Sequence, residues 1–177
     1  MVSDDQIISA VDDNGKFLEY IPRMEGHISE GKRHIGITIL VFNKKGEMLM
    51  QKRKHMVFDK VWCFSGDTHP YHIEGKDESL DEASKRALKE DFSIDKISLE
   101  NLGFFNYFAR DGKYCENEHC AMVIGEYDGE IKMNPDNGYD FAWMSKEEFL
   151  KDFERHPEKW APWVPGGVEI LKEKGIL

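Results

Sequence analysis

Apolar and polar positions divide this chain into segments of two periodicities. Residues 35–43, IGITILVFN, form a β-branched apolar run that predicts a buried strand. NKKGE then supplies a turn, and MLMQKR (48–53) continues as the hairpin partner. From 62 to 76 the text is aromatic, then rich in Gly, His, Asp and Pro, which predicts a long functional loop. Over 79–91 the period becomes helical. Leu80, Ala83, Ala87 and Leu88 make one apolar stripe, and Ser79 with Glu82 forms a capping box. Strands are predicted at 100–109 and 118–127, joined by DGKYCEN, with a third at 141–144 (FAWM). Ser145 and Glu148 cap a helix over 145–155, and the tail from Trp160 ends in a short one. No repeat or Pro/Gly linker divides the chain, so a single domain is expected over 1–177. Strands first and last, with helices interspersed, predict an α/β (α+β) mixed β-sheet sandwich between helices.

Composition narrows the function. The length of 177 residues can bury a real core, and 40% hydrophobic with 33% charged residues is a globular balance. A net charge of −10 argues against non-specific nucleic-acid or anionic-membrane binding, and means that an anionic substrate needs cations gathered locally. Cys63, Cys115 and Cys120 are odd in number, lack zinc-type C-x-x-C spacing and suit a reducing compartment. No apolar run reaches the roughly 18 residues of a membrane span, and the start, MVSDDQII, has no basic leader. The expectation is a cytoplasmic monomer or homodimer acting on a small molecule, with no nucleic-acid or membrane partner.

Candidate chemistry lies in two sets. His27, His34, His69, Glu116 and Glu118 have the donor types a divalent cation takes, imidazole nitrogen and carboxylate oxygen, with no thiolate required. Within 72–94, the adjacent acids Glu90 and Asp91, with Arg86 one turn away, suit hard Mg²⁺. Glu82, Arg86 and Glu90 at i, i+4, i+8 are equally the pattern of a solvated salt-bridge face.

Glu78, Arg86, Leu88, Glu90, Asp91 and Ile94 reproduce the spacing of the Nudix box. Ala87 stands where the box has Glu, Ser93 where it has Gly, and its opening glycine is displaced, leaving Gly66 and Gly75 as rough substitutes. From about residue 26 to 165 the chain resembles the Nudix-fold type I isopentenyl-diphosphate isomerases. The likeness rests on His27 and His34 six residues apart before the first core strand, and on Trp62 leading to Thr68-His69-Pro70. It rests also on Glu116-Asn117-Glu118 at a strand start, Tyr107 in FFNYFA and Trp163 in APWV. NPDNGYDFAW matches a further signature, with Asn137 in place of the usual Glu.

That resemblance implies a Nudix fold in which the five donors bind one divalent cation, Mn²⁺, Zn²⁺ or Mg²⁺. Asp91, with Glu90 beside it, would hold a second, Mg²⁺, bridging the diphosphate. Lys52, Arg53, Lys54 and Arg86 would neutralise phosphates; the alternative for the first three is a basic hairpin edge. Trp163 and the cluster Phe104, Phe105, Tyr107 and Phe108 would shield a carbocation, or serve as strand core. Glu118 would be the acid, assisted by Tyr107. The family's catalytic cysteine position is held by Asp67. A carboxylate is already a base near neutral pH, but donating a proton in the reverse direction asks for a pKa raised by about three units. Three readings follow: isomerase first; a Nudix hydrolase with Asp67 as metal ligand or general base second; an inactive diphosphate-binding protein third.

Overall fold

A computed structural model describes residues 6–177. The expected lack of a leader concerns a segment of which residues 1–5 lie outside the described range. Two strands and a short helix come first: β1 (Ile7–Val11), β2 (Phe17–Pro22) and α1 (Arg23–His27). The core strands β3 (His34–Phe42) and β4 (Met48–Arg53) follow. Four short strands come next: β5 (Trp62–Cys63), β6 (Gly66–Thr68), β7 (His72–Ile73) and β8 (Lys76–Asp77). Then come α2 (Leu80–Phe92), β9 (Leu99–Asp111), β10 (Tyr114–Glu126), β11 (Gly138–Met144), α3 (Lys146–Arg155) and α4 (Val164–Glu173).

β3 is the hub. It pairs in parallel with β10 from His34↔Glu118 to Phe42↔Glu126, and antiparallel with β6, β4 and β1. Alternation along the strands separates two cores. Ile37, Ile39, Val41 and Leu49 pack on Ala83, Ala87, Leu88 and Phe92 of α2. Leu40, Met48 and Met50 face the other way, onto Phe149 of α3 and Val164, Val168 and Leu171 of α4. The mixed sheet is therefore sandwiched between helices, as the sequence predicts. Both capping boxes are formed: Ser79 Oγ accepts from Glu82 N–H, and Ser145 Oγ from Glu148 N–H. The glycine position of the Nudix-like box, Ser93, caps α2 with φ 58°. A residue with a Cβ pays about 1–2 kcal/mol in that left-handed conformation.

Three segments differ from expectation. Residues 62–76 are not one continuous loop but short strands joined by bends and turns. β5 pairs with β4 and β6 with β3, placing Asp67 opposite Thr38. A chain lying on the core must pair its backbone, and strands of two or three residues are too short to show alternation. The connection DGKYCEN shrinks to the turn at Gly112 and Lys113, because Tyr114 already pairs with Asp111 across it, so Glu116 and Glu118 share one strand face. The N-terminal strands carry little patterning, since only Ile21 is buried in β2. No helix of the described residues is long and apolar enough to cross a membrane.

Candidate metal centre and cavity

His27, His34 and His69 converge from α1, from the start of β3 and from just after β6. Their ligand atoms lie within 4.8 Å of one another, as do those of His34, Glu116 and Glu118. All five are buried. Each ring has Nδ1 against a backbone carbonyl: His27 on Cys115 at 3.2 Å, His34 on Lys32 at 2.8 Å, His69 on Ile35 at 3.1 Å. A carbonyl only accepts, so Nδ1 carries the proton and the Nε2 lone pairs are left facing inward. His27 Nε2 and His69 Nε2 are 3.2 Å apart, and His34 Nε2 is buried without a hydrogen bond. Glu116 Oε2 is buried 3.0 Å from the same His27 Nδ1, and this contact helps hold its carboxyl down at about 2. Imidazole nitrogens and carboxylate oxygens gathered in this way fit a divalent cation. Burial and the neighbouring imidazoles push His69 well below the usual histidine range, which keeps its ring neutral.

Two glycines make room. A Cβ on Gly36 would stand 2.1 Å from Glu118 Oε2, and one on Gly26 would stand 2.6 Å from His34 Nδ1. Glu118 Oε1 lies 3.7 Å from His34 Nε2, while its Oε2 accepts from the Tyr107 hydroxyl at 2.8 Å. Burial and Glu118 hold the Tyr107 phenol well above its ordinary value, so it remains a donor.

Beside this cluster is a cavity of about 220 Å³, lined by Tyr107, Glu116 and Glu118 on one part and by Asp67, Asp91 and Trp163 on others. Asp67 Oδ2 is 3.4 Å from Arg53 Nη1, and its Oδ1 is buried without a partner. Burial raises its pKa; Arg53 and Thr38 only partly offset that, leaving it at about 6. Arg53 is itself half-buried and lies 5.1 Å over the Trp163 ring. Asp91 Oδ1 accepts from Asn137 Nδ2 at 2.8 Å. Burial raises Asp91 too, to about 7, against the Asn137 hydrogen bond and with the help of Asp67. A half-buried carboxylate with one oxygen free toward a cavity suits a second cation of the Mg²⁺ kind. Glu90 also lines the cavity but is largely solvated.

The candidate cations are differently placed. Arg53, Lys54 and Arg86 line the cavity; Lys52, on the opposite face of β4, does not. Arg86 is largely engaged: it donates to both oxygens of Glu78 at 2.9 Å and to the carbonyl of His69 at 2.9 Å, and so braces the segment that carries that ligand. The cavity also takes Arg23, Gln51 and His55, which the sequence reading omits. Arg23 Nη1 donates to Gln6, but its Nε is buried without a partner. It precedes His27 by one helical turn, a spacing that could have drawn attention to it. His55 is driven to about 3 by burial and by Arg53 and Arg23, so it is neutral. Phe105 and Tyr107 pack toward the core, whereas Phe104 and Phe108 are exposed on the far face of β9.

The raised carboxylates have a consequence for stability. A folded-state pKa above the unfolded value favours the neutral form, so the contribution is intact below about pH 4 and is lost as pH rises toward 7. For Asp91 the loss is on the order of 4 kcal/mol. The cation-free protein is therefore expected to resist urea better at pH 5 than at pH 8. Asp91→Asn should remove most of that slope; a slope identical to wild type would show that Asp91 does not carry it.

Residues 32–164 match the NUDIX domain family. Isopentenyl-diphosphate Delta-isomerase 2 of Aromatoleum aromaticum is 28% identical over 164 residues, covering 91% of this chain and 83% of that protein. Isopentenyl-diphosphate Delta-isomerase of Paenarthrobacter aurescens is 26% identical over 176 residues, covering 97% and 94%. Among solved structures, DR0079 from Deinococcus radiodurans superposes with a TM-score of 0.71 at 14% identity, over 94% of this chain and 98% of that one, a likeness of fold.

Proposed function

Because this chain belongs to the NUDIX domain family, we propose that it is a metal-dependent enzyme acting on a small isoprenyl diphosphate, interconverting isopentenyl and dimethylallyl diphosphate. The observation that carries the reading is the position of Glu118. One carboxylate joins the imidazole cluster, accepts from Tyr107 at 2.8 Å and lines the cavity that Asp67 also lines. His27, His34, His69, Glu116 and Glu118 would hold one divalent cation, and Asp91 a second with the diphosphate. When bound, the cations supply positive charge for the carboxylates and the phosphates.

The chain's own residues then move the protons. Glu118, entering the cycle as the protonated acid, would deliver that proton to the terminal alkene carbon, leaving a carboxylate on Glu118 and a tertiary cation at the branched carbon. Asp67 takes a proton from the neighbouring methylene, and the double bond re-forms one position along. Trp163 and Tyr107 cover the cation with aromatic faces. The reverse direction needs Asp67 to donate. Burial brings it to about 6, closer to neutrality than an ordinary aspartate, so a fraction on the order of a tenth is protonated at pH 7. Lys54, Arg53 and Arg23 line the cavity and would meet the anionic end of the substrate.

A second reading, Nudix hydrolysis, is favoured by one observation: Asp67 and Asp91 are two half-buried carboxylates lining one cavity, and the charge of Asp67 raises Asp91, as in a site where a cation and water would lie between them. Incubation with isopentenyl diphosphate and Mg²⁺/Mn²⁺ in deuterated water separates the two. Deuterium in dimethylallyl diphosphate is the expected result. Phosphate release would establish hydrolysis, and unlabelled, intact substrate would defeat both.

A further inference from the structure

Residues 134–137 form a turn that touches the end of α2 and the end of β4 at once. Asn134 N–H donates to the Asp91 carbonyl at 2.7 Å, and Asn134 Nδ2 to the Glu90 carbonyl at 3.2 Å. Lys54 is bound to the same turn twice, through its N–H to the Asn137 carbonyl at 3.1 Å and its Nζ to the Pro135 carbonyl at 2.8 Å. One side chain of the turn reaches a carboxylate: Asn137 Nδ2 on Asp91 Oδ1 at 2.8 Å. Asp91 Oδ2 accepts no hydrogen bond from the described residues, and Asn137 and Asp91 both line the cavity.

We propose that Asn137 is a positioning residue for the second cation: its amide ties down one oxygen of Asp91 so that the other is presented to the metal–diphosphate, while the same turn holds Lys54 beside it. The proposal rests on the reading of Asp91 as holder of that cation. An amide suits the task on chemical grounds. Its N–H favours the ionised carboxylate, whereas an acid at position 137 would place like charge 2.8 Å from Asp91 or withdraw the donor. The turn itself does not need the side chain amide, because Asn137 and Gly138 N–H both close on the Asn134 carbonyl, and Asn137 does not have a positive φ.

The test is Mg²⁺-dependent binding of inorganic pyrophosphate, measured by calorimetry on wild type, Asn137→Ala, Asn137→Leu, Asp91→Asn and the Asn137→Ala/Asp91→Asn pair. Leu keeps the volume should Ala disturb the turn, and thermal unfolding checks the fold of each. Removing a partner that orients a metal ligand is expected to weaken binding by about 10–100-fold. Asp91→Asn should lose at least as much, and the double variant should bind like Asp91→Asn alone, since Asn137 acts through Asp91. Wild-type affinity in both folded Asn137 variants, with Asp91→Asn impaired, overturns the proposal and leaves the reading of Asp91 standing. Losses that simply add in the double variant overturn it also. Unimpaired binding by Asp91→Asn overturns both.

Discussion

Glu118→Gln is expected to abolish turnover, with a loss of about 10⁴-fold or to below detection, while the protein remains folded. Three functions end together in that change. The amide cannot release or regain a proton, a step that alone is worth about 10²–10⁴-fold. It is a poorer donor to a divalent cation, in a cluster where His34 and Glu116 have ligand atoms within 4.8 Å. It also leaves the Tyr107 hydroxyl facing a neutral group in place of the carboxylate it now meets at 2.8 Å. The shape is conserved, so the close approach to Gly36 is kept. Rates should be measured with metal content and thermal unfolding in parallel. A variant that keeps wild-type turnover would remove Glu118 from the acid role.

Asp67 carries the second large effect, in two opposed substitutions. Asp67→Asn should lower isomerisation by about 10²–10³-fold, because the side chain keeps its place beside Arg53 but can no longer take a proton. Asp67→Cys should preserve activity or raise it, since a thiol in the same place serves as base and acid at modest cost. Both variants deprive half-buried Arg53 of its ion-pair partner, so some loss of stability accompanies either, and rates must be compared on folded protein. Complete loss in a folded Asp67→Cys protein would assign Asp67 to cation binding and favour hydrolysis.

How much of this was legible depended on the length of each signal. α2 could be read because a capping box and a four-residue stripe agree, and β3 because nine consecutive positions are nearly all apolar. β5 to β8 could not be read: two or three residues contain no period, and their pairing is dictated by β3 and β4 from outside. The donor set is an intermediate case. Residue type suggested a cation, and resemblance brought His27, His69 and Glu118 into one set. No spacing along the chain says that three Nε2 atoms will face each other. A lone basic residue has no pattern, so His55 is singled out only by the walls of the cavity, whereas Arg23 has the one signal of lying a helical turn before His27. Lys52 illustrates the converse. Three basic residues in a row read as one patch, but a strand sends alternate side chains to opposite faces, so Lys52 is turned away from its neighbours.

The parallel pairing of β3 with β10 also fixes the order in which the centre can be assembled. Parallel neighbours cannot be joined by a tight turn, and here the crossover contains α2 and β9. His34 and Glu118, opposite each other across that pair, therefore meet only when the chain has closed a long loop. During synthesis the histidines emerge well before the glutamates, so an early cation would find imidazoles without carboxylates. The five donors come together only with the sheet, so a cation that needs all of them can bind only the folded chain.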